Sequence, residues 1–383
     1  MKKILVVGAG FAGAVIAREL AEAGYHITVI DSRDHIAGNC YDYIDDFGIR
    51  IHKYGPHIWH TSNEAVHNWL SRFTAWVPYK HKVKAKLTTG QYVPLPINFE
   101  SINLALGLHL KNNEEAEMFL KTQREVPHFE WQPTNSYEAI CAKFGRKLCD
   151  IFFAPYTRKM WGVELQELDV SVAGRVSTDF QDDPLYFPKD QFQFMPRDGY
   201  TEAFRNILKH ENIEVKLSTI FDHEMEKHYY HVFNCMPIDV YFNHEFGKLP
   251  YRSLKFYTVT IASSGFPVPT INFTTQDLPY TRATDWKQYP NNDASTLSTI
   301  TYEEPCCYTQ NNNERYYPVK DSDGKNRTTY GKYKELALAT KKNMTFVGRM
   351  ATYVYTDMHQ AINTSLSISR NFLKEECGKL SNT

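Results

Sequence analysis

Near the N-terminus, Gly8-Ala-Gly10-Phe-Ala-Gly13 has the spacing of a dinucleotide-binding turn, and Asp31 stands where such sites place an acid. Each residue has a physical task. Gly8 permits the tight turn, Gly10 lets the backbone approach a pyrophosphate, and Gly13 lets helix and strand pack closely. A helix N-terminus after the turn supplies free N–H groups and partial positive charge for phosphate oxygens. Asp31 would accept hydrogen bonds from a ribose. A second cluster, His52-Lys-Tyr-Gly-Pro-His57-Ile-Trp-His60, brings three imidazoles close together. It reads as a metal site, a histidine-lined pocket or packed structural histidines. His57 and His60 would share a helix face, but no carboxylate or cysteine lies close enough to complete a metal site, and Gly55-Pro56 opposes a helix before His57. A pocket fits better than a metal, and no metal is expected.

These residues need elements to hold them. Lys3-Ile-Leu-Val-Val7 is a continuous apolar run, the mark of a buried parallel strand. Ala14 to Ala23 carries helix formers and stops at Gly24. His26-Ile-Thr-Val-Ile30 is the second strand, closed by Asp31. From Phe99 to Trp161 the pattern is helical, with Asn135-Ser-Tyr-Glu138 resembling a capping box. Leu254–Ile261 and Thr296–Tyr302 read as extended, antiparallel strands. Asn311-Asn-Asn-Glu and Asp321-Ser-Asp-Gly-Lys read as polar loop tips. Met344–Val347 is a short strand, Gly348-Arg349 a turn, and Asp357 to Phe372 an amphipathic helix. The two ends therefore form one α/β, Rossmann-like nucleotide-binding domain, discontinuous in sequence, with helical and sheet material inserted.

Composition narrows the class. The 383 residues include 42% hydrophobic and 23% charged, the profile of a folded globular protein. A net charge of -1 argues against a generally basic nucleic-acid binder, and no nucleic acid is expected. No apolar stretch approaches membrane-spanning length, so no membrane is expected. The 7 cysteines contain no CxxC pair and read as reduced thiols in a cytoplasmic protein. The 25 tyrosines suit stacking on bases, sugars or flavins, although core packing must account for most.

The glycine turn alone leaves NAD and FAD open. Arg33 and Ala37-Gly38-Asn39 continue the element as in flavoproteins, where a second glycine turn tracks the FAD pyrophosphate. Val347-Gly348-Arg349 and the helix from Asp357 look like the other flavin contact. That helix either points its positive end at the flavin N1/C2 edge, stabilising an anionic reduced flavin, or is an ordinary surface helix. Spacing weights the two equally.

The run HKYGPHIWHT, with Tyr156-Thr-Arg-Lys-Met-Trp161-Gly, Leu249-Pro-Tyr-Arg-Ser-Leu-Lys-Phe256, Pro279-Tyr-Thr-Arg282, Tyr316-Tyr-Pro-Val and Tyr355-Thr-Asp-Met-His-Gln360, closely resembles the prokaryotic UDP-galactopyranose mutases, in the same order and over nearly the whole chain. The resemblance implies three domains: a discontinuous FAD domain (1–76, 190–238 and 335–383), a helical domain (95–170), and a twisted antiparallel sheet domain (77–94, 171–189 and 239–334). It implies interconversion of UDP-galactopyranose and UDP-galactofuranose with no net redox change, through attack of reduced FAD N5 on the anomeric carbon. It also implies an external reductant, NAD(P)H or chemical, and a homodimer. Such chemistry needs no acid–base machinery of its own, and no convincing Ser/His/Asp triad or carboxylate pair is found.

By the same resemblance, Arg175 and Arg282 are the two substrate arginines, Arg175 lying in a segment that closes as a lid. Tyr156, Tyr186, Tyr317 and Tyr355 match tyrosines that contact the diphosphate or sugar, and composition alone makes Tyr316 as good as Tyr317. Phe152 and Tyr156 fall where the family holds the uracil. Trp161 matches the tryptophan at the substrate pocket, His81 a nucleotide-side residue, and Asn272 another substrate contact. His57 and His60 match histidines beside the isoalloxazine. The cofactor set comprises Gly8, Gly10, Phe11, Ala12, Gly13, Asp31, Ser32, Gly38, Asn39, His57, Ile58, Arg349, Thr356, Asp357, Met358, His359 and Gln360. Without the resemblance, the arginines read as solvated surface charges and the aromatics as packing.

Three segments depart from the family pattern on the FAD side. Ala37 replaces a usual glycine, Phe233-Asn-Cys-Met-Pro237 replaces a Tyr-Thr-Gly-Pro stretch, and Met195-Pro-Arg-Asp198 replaces a glycine-rich turn. The lid region from Val176 to Asp183 differs as well, which leaves the sugar open. UDP-N-acetylgalactosamine and dTDP-linked deoxy-sugars are alternatives. Two other functions compete: an amine-oxidase-type flavin oxidoreductase, and a non-catalytic nucleotide-sugar binder.

Overall fold

The computed structural model describes residues 2–128, 130–173, 185–262, 265–292 and 295–381. At one end lies a five-stranded parallel sheet, in the order Ile213–Lys216, His26–Ile30, Lys3–Val7, His231–Asn234 and Met344–Phe346. Leu5 sits opposite Thr28 on one side and Val232 on the other. The apolar run 4–7 is buried because both sheet faces are covered. Ile4 and Val6 join the main core with helices Phe11–Glu22, Tyr200–Leu208 and the long C-terminal helix, while Leu5 and Val7 meet Phe221, Met225 and Tyr229 on the other face.

The expected C-terminal helix runs further than the pattern suggested, from Met358 to Ser381. Its small residues Ser365 and Ser369 are fully buried, which lets it approach helix Phe11–Glu22 closely. Asp357 sits just before it. Its carbonyl takes the Ala361 N–H at 3.0 Å, and its own N–H donates to Gln360 Oε1 at 2.9 Å.

The second large element is a seven-stranded sheet, in the order Tyr317–Pro318, Tyr251–Ile261, Ser298–Cys307, Arg282–Asp285, Thr270–Phe273, Val83–Lys86 and Tyr92–Leu95. The two strands expected from sequence pair antiparallel with each other along ten positions, Arg252↔Cys307 to Ile261↔Ser298. One junction differs from a purely antiparallel sheet: Thr270–Phe273 and Val83–Lys86 run parallel, since they come from distant parts of the chain and no hairpin joins them. A small three-stranded sheet, Trp59–Thr61, Phe192–Pro196 and Trp76–Pro78, links the two large ones.

Between Phe99 and Trp161 the chain is helical, as read. Asn98, Asn112 and Asn135 each cap a helix by accepting an N–H three residues on. The box expected at Asn135 is only half made. Glu138 turns to the N–H and hydroxyl of Thr134, and a complete box forms instead at Asn98 and Ser101. A wide π turn, Cys149–Phe153, precedes helix Ala154–Trp161. Pro155 has no N–H to continue the regular ladder there.

Candidate active site

Three turns meet at the carboxyl ends of strands Lys3–Val7, His231–Asn234 and Met344–Phe346. Gly8 has φ +110°, and a Cβ on it would fall 3.0 Å from the Cys235 side chain. A Cβ on Gly13 would fall 1.9 Å from the Gly8 carbonyl oxygen, so the first helix packs directly on the turn. Gly10 and Gly38 stand back to back. A Cβ on Gly38 would lie 2.9 Å from the Gly10 Cα. Asp31 holds the turn in shape, accepting from Ala9 N–H at 2.8 Å and Arg33 N–H at 3.0 Å.

The result is a crevice of about 470 Å3, lined by Gly8, Gly10, Asp31, Ser32, Gly38 and Asn39. It lies where open α/β sheets bind nucleotides. Gly10 caps the first helix without a side chain, and no acid occupies the first turn, so the N–H groups remain available to an anion. The cradle fits a pyrophosphate. Phe11, Ala12 and Gly13 shape it from behind. Phe11 packs against Tyr200 and Phe204, and Ala12 against Gly348. Ala37 keeps a left-handed turn (φ +73°) with its side chain buried in the core, so the departure from glycine leaves the cradle wall to Gly38 and Asn39.

One wall of this crevice was not foreseen. Asn312, Asn313 and Glu314, from the stretch read as a polar loop tip, line it together with Arg315. Glu314 pairs with Arg33, which also donates to Asn39 Oδ1 at 3.0 Å and lies 4.3 Å over the Tyr54 ring.

A second cavity, of about 240 Å3, opens against the large sheet. Tyr156, Trp161, Tyr186, Arg282, Tyr317 and Tyr355 line it, joined by Ser171, Glu303 and Lys320. Its floor is set by strand register. Asn272, Arg282, Glu303 and Phe256 are successive cross-strand partners, so their side chains share one face. Arg282 donates from Nε to Glu303 Oε1 at 2.8 Å and from Nη2 to Oε2 at 2.9 Å. Glu303 is 2% exposed. Burial works against the guanidinium charge, but this carboxylate outweighs it and raises the Arg282 pKa. Two of five N–H donors are thus committed and three remain.

The tyrosines are ordered by Arg349. Its guanidinium lies 4.6 Å from the Tyr355 ring and 5.9 Å from the Tyr317 ring, which stack at 5.7 Å, and it donates to the Tyr316 and Thr356 carbonyls. Tyr317 lines the cavity, whereas Tyr316 is packed between Tyr54 and Phe256. Burial raises the pKa of Tyr156, Tyr186 and Tyr317, so their hydroxyls stay protonated donors.

His57, His60 and His81 line neither cavity. His57 and His60 do not share a helix, because residue 57 lies in an irregular stretch and residue 60 in strand Trp59–Thr61. His57 Nδ1 lies 2.9 Å from the Gly55 carbonyl, and its backbone N–H donates to His52 Nδ1. Gly55 packs onto Glu303 and Phe256. Burial pushes the His57 pKa down to about 3, with His52, Arg349 and Arg282 adding to the effect. His81 is also pushed down to about 3, first by burial and then by Arg282 and His60. Both are neutral imidazoles. His60 contacts Asp190 through Nδ1 at 2.7 Å, stacks on Phe187 at 3.6 Å and meets His359 edge-on at 5.7 Å. Among the described residues, no group of three His, Cys, Asp or Glu is arranged to hold a metal.

Other expected residues sit elsewhere. Phe152 is buried in the core of the helical segment and is not on the cavity wall. Asn272 shares the Arg282 face of the sheet without lining the cavity. Ile58 is buried and Met358 partly buried in the main core. Arg175 lies outside the described residues. Glu303 was missed, although an acid on a strand of Ser, Thr and Ile, 21 residues from an arginine on its neighbour, was the available signal.

A glycine-cradled crevice beside a cation- and tyrosine-lined cavity defines a cofactor-dependent enzyme built on a Rossmann-like dinucleotide-binding domain. Residues 6–73 match the model of the NAD(P)-binding Rossmann-like domain, and residues 151–355 that of UDP-galactopyranose mutase. The chain belongs to the UDP-galactopyranose mutase family. It is 37% identical to a "Probable UDP-galactopyranose mutase" of Klebsiella pneumoniae, over 97% of this chain and 95% of that one. It is 36% identical to dTDP-fucopyranose mutase of Escherichia coli, over 98% and 99%. Among solved structures, reduced UDP-galactopyranose mutase superposes with a TM-score of 0.75 at 16% identity, covering 98% of this chain and 94% of that one. Wild-type putrescine oxidase bound to putrescine gives 0.57 at 10% identity, over 97% and 99%. Both likenesses concern the fold.

Proposed function

We propose that the protein is an FAD-dependent nucleotide-sugar mutase. It interconverts UDP-galactopyranose and UDP-galactofuranose, or a close hexose analogue including a dTDP-linked sugar, with no net redox change. The observation that carries this reading is the second cavity, which offers a half-buried cation, held by a buried carboxylate, and tyrosine hydroxyls in a molecule that also has a dinucleotide crevice. The relatives named for UDP-galactopyranose and dTDP-fucopyranose support both nucleotides. In this reading residues 1–76, 190–238 and 335–383 carry the cofactor, 95–170 are helical, and the remainder builds the substrate sheet of a cytoplasmic homodimer.

FAD would be held by Gly8, Gly10, Asp31, Ser32, Gly38 and Asn39 at the pyrophosphate and ribose, and by His57, Ile58, Arg349 and the segment Thr356–Gln360 at the ring. Once reduced by NAD(P)H or a chemical reductant, bound FAD would supply the nucleophile for the anomeric carbon. The chain's own residues bind and orient. Arg282 directs its three remaining N–H donors at the diphosphate, and Arg175 would add a second fork. Tyr156, Tyr186, Tyr317 and Tyr355 donate hydroxyl hydrogens to phosphate or sugar oxygens, and Trp161 walls the sugar. With Nδ1–H given to Gly55, His57 keeps a neutral Nε2 as an acceptor.

Product analysis of dithionite-reduced protein against a panel of UDP- and dTDP-hexoses tests this reading. A pyranose–furanose conversion supports it, and turnover that persists with fully oxidised FAD sinks it. An amine-oxidase-type oxidoreductase, which would share the fold of putrescine oxidase, predicts that the substrate itself bleaches the flavin anaerobically.

A further inference from the structure

Helix Ala154–Trp161 and the hairpin formed by Thr270–Phe273 and Arg282–Asp285 face each other across the second cavity. Tyr156, Met160 and Trp161 line it from the helix, and Thr281 and Arg282 from the hairpin. Lys159 belongs to the same helix, but its side chain goes into the hairpin turn. Its Nζ donates to the carbonyls of Phe273, Thr275 and Tyr280 at 2.9, 2.7 and 2.7 Å. An ammonium has three donors, and all three are spent on main-chain oxygens of one turn. None of the acceptors is a carboxylate, so burial of this charge is not offset by an ion pair at the turn.

Two further contacts fix the same helix. Gln276, at the hairpin tip, donates from Nε2 to the Pro155 carbonyl at 2.7 Å. Arg252, on strand Tyr251–Ile261, donates to the carbonyls of Met160 and Lys159 at 2.7 and 3.1 Å. The hairpin is thus tied near both ends of the helix, and Lys159 is its strongest fastening.

We propose that Lys159 is a positioning residue for nucleotide-sugar binding: it holds the helix that carries Tyr156 and Trp161 in register with the hairpin that carries Arg282, so that hydroxyl and guanidinium converge on the substrate diphosphate. This rests on the nucleotide-sugar reading above. It predicts a defect in ligand binding and turnover, with no defect in flavin content.

The test compares Lys159→Met, Lys159→Arg and Gln276→Ala with wild type, measuring kcat and KM, the Kd for UDP and for uridine, flavin content and Tm. Lys159→Met should lower kcat/KM about a hundredfold and weaken UDP binding more than uridine binding, because misplacement of a binding group by about 1 Å has effects of that size. Lys159→Arg should fall between, since a planar fork meets two of the three carbonyls. Gln276 is exposed, so its truncation should leave Tm and flavin unchanged and still raise KM about threefold, the loss of one hydrogen bond. If Lys159→Met fails to fold, Gln276→Ala decides, and an unchanged KM overturns the proposal. Wild-type kcat/KM and UDP affinity in Lys159→Met overturns it too. A wild type that binds UDP but isomerises no nucleotide sugar refutes the mutase reading instead, and the UDP affinities alone then judge Lys159.

Discussion

Arg282 pairs with Glu303 in the fold and lines the cavity proposed to take the substrate, and a double variant separates the two roles. Arg282→Met leaves the Glu303 carboxylate, 2% exposed, without its fork. Removing one partner of a buried ion pair costs about 3–5 kcal/mol. With about 2.1 cal/mol/K of unfolding entropy per residue, 383 residues unfolding as a unit carry about 0.8 kcal/mol/K, so a loss of about 4 kcal/mol lowers Tm by about 5 °C. Arg282→Met combined with Glu303→Leu removes both charges. The new leucine faces Gly55 and the Phe256 ring, an apolar neighbourhood. Such replacements are often neutral or stabilising, so the double variant should recover most of the lost Tm. Activity should not recover. A diphosphate deprived of its charged partner loses about 2–4 kcal/mol, or about 30- to 900-fold in kcat/KM. The assay is calorimetry with saturating FAD, followed by turnover of dithionite-reduced protein. An unchanged Tm in Arg282→Met refutes the buried-pair argument. A double variant with near wild-type kcat/KM refutes the placement of Arg282 at the substrate.

Further outcomes follow from the same geometry. Gly10→Ala should fold normally, because its new Cβ meets only the Gly38 Cα at 3.6 Å, yet should lose flavin, whereas Gly13→Ala, with a contact of 1.9 Å to backbone, should be destabilised whether or not flavin is present; equal flavin retention in Gly10→Ala places the cofactor elsewhere. Tyr317→Phe should cost about 1 kcal/mol in kcat/KM through its lost hydroxyl donor, and Tyr316→Phe should cost nothing in kinetics, since only Tyr317 lines the cavity. Burial lowers His81 to about 3 and His52 to about 4 from an ordinary 6.5, so the unfolded chain binds more protons below that value. The stability contributed by these neutral imidazoles is full above about pH 6.5 and is lost as pH falls through 4 and 3, by up to about 1.4 kcal/mol per unit for each. Urea midpoints that stay flat from pH 7 to 4 contradict that burial.

The dinucleotide half was legible because its signals are local. An apolar run, a glycine turn and an acid after the next strand each act within a few residues of their own position. The second cavity and the far wall of the crevice depend on contacts between distant segments. Glu303 meets Arg282 only through the register of two antiparallel strands, and Glu314 reaches Arg33 across 281 residues of chain. Loop polarity alone therefore makes Asn311–Glu314 read as a polar loop tip. The tyrosines were expected at the site by resemblance, but Tyr316 and Tyr317 are neighbours at the start of a short strand and differ only in the direction their side chains take. Phe152 shows the converse: an aromatic within the π turn packs inward with Phe144 and Leu148. Lys159 drew no reading of its own, since nothing in the sequence reveals three carbonyls waiting at a turn 114 to 121 residues away.

The most direct test of the central claim is anaerobic turnover with the flavin followed spectrally. Dithionite-reduced protein mixed with UDP-galactofuranose or its dTDP-linked analogue should yield the pyranose over many turnovers while the flavin ends as reduced as it began, and the oxidised protein should yield none. Oxidised flavin that is bleached by the sugar nucleotide itself, without formation of the ring isomer, would contradict it.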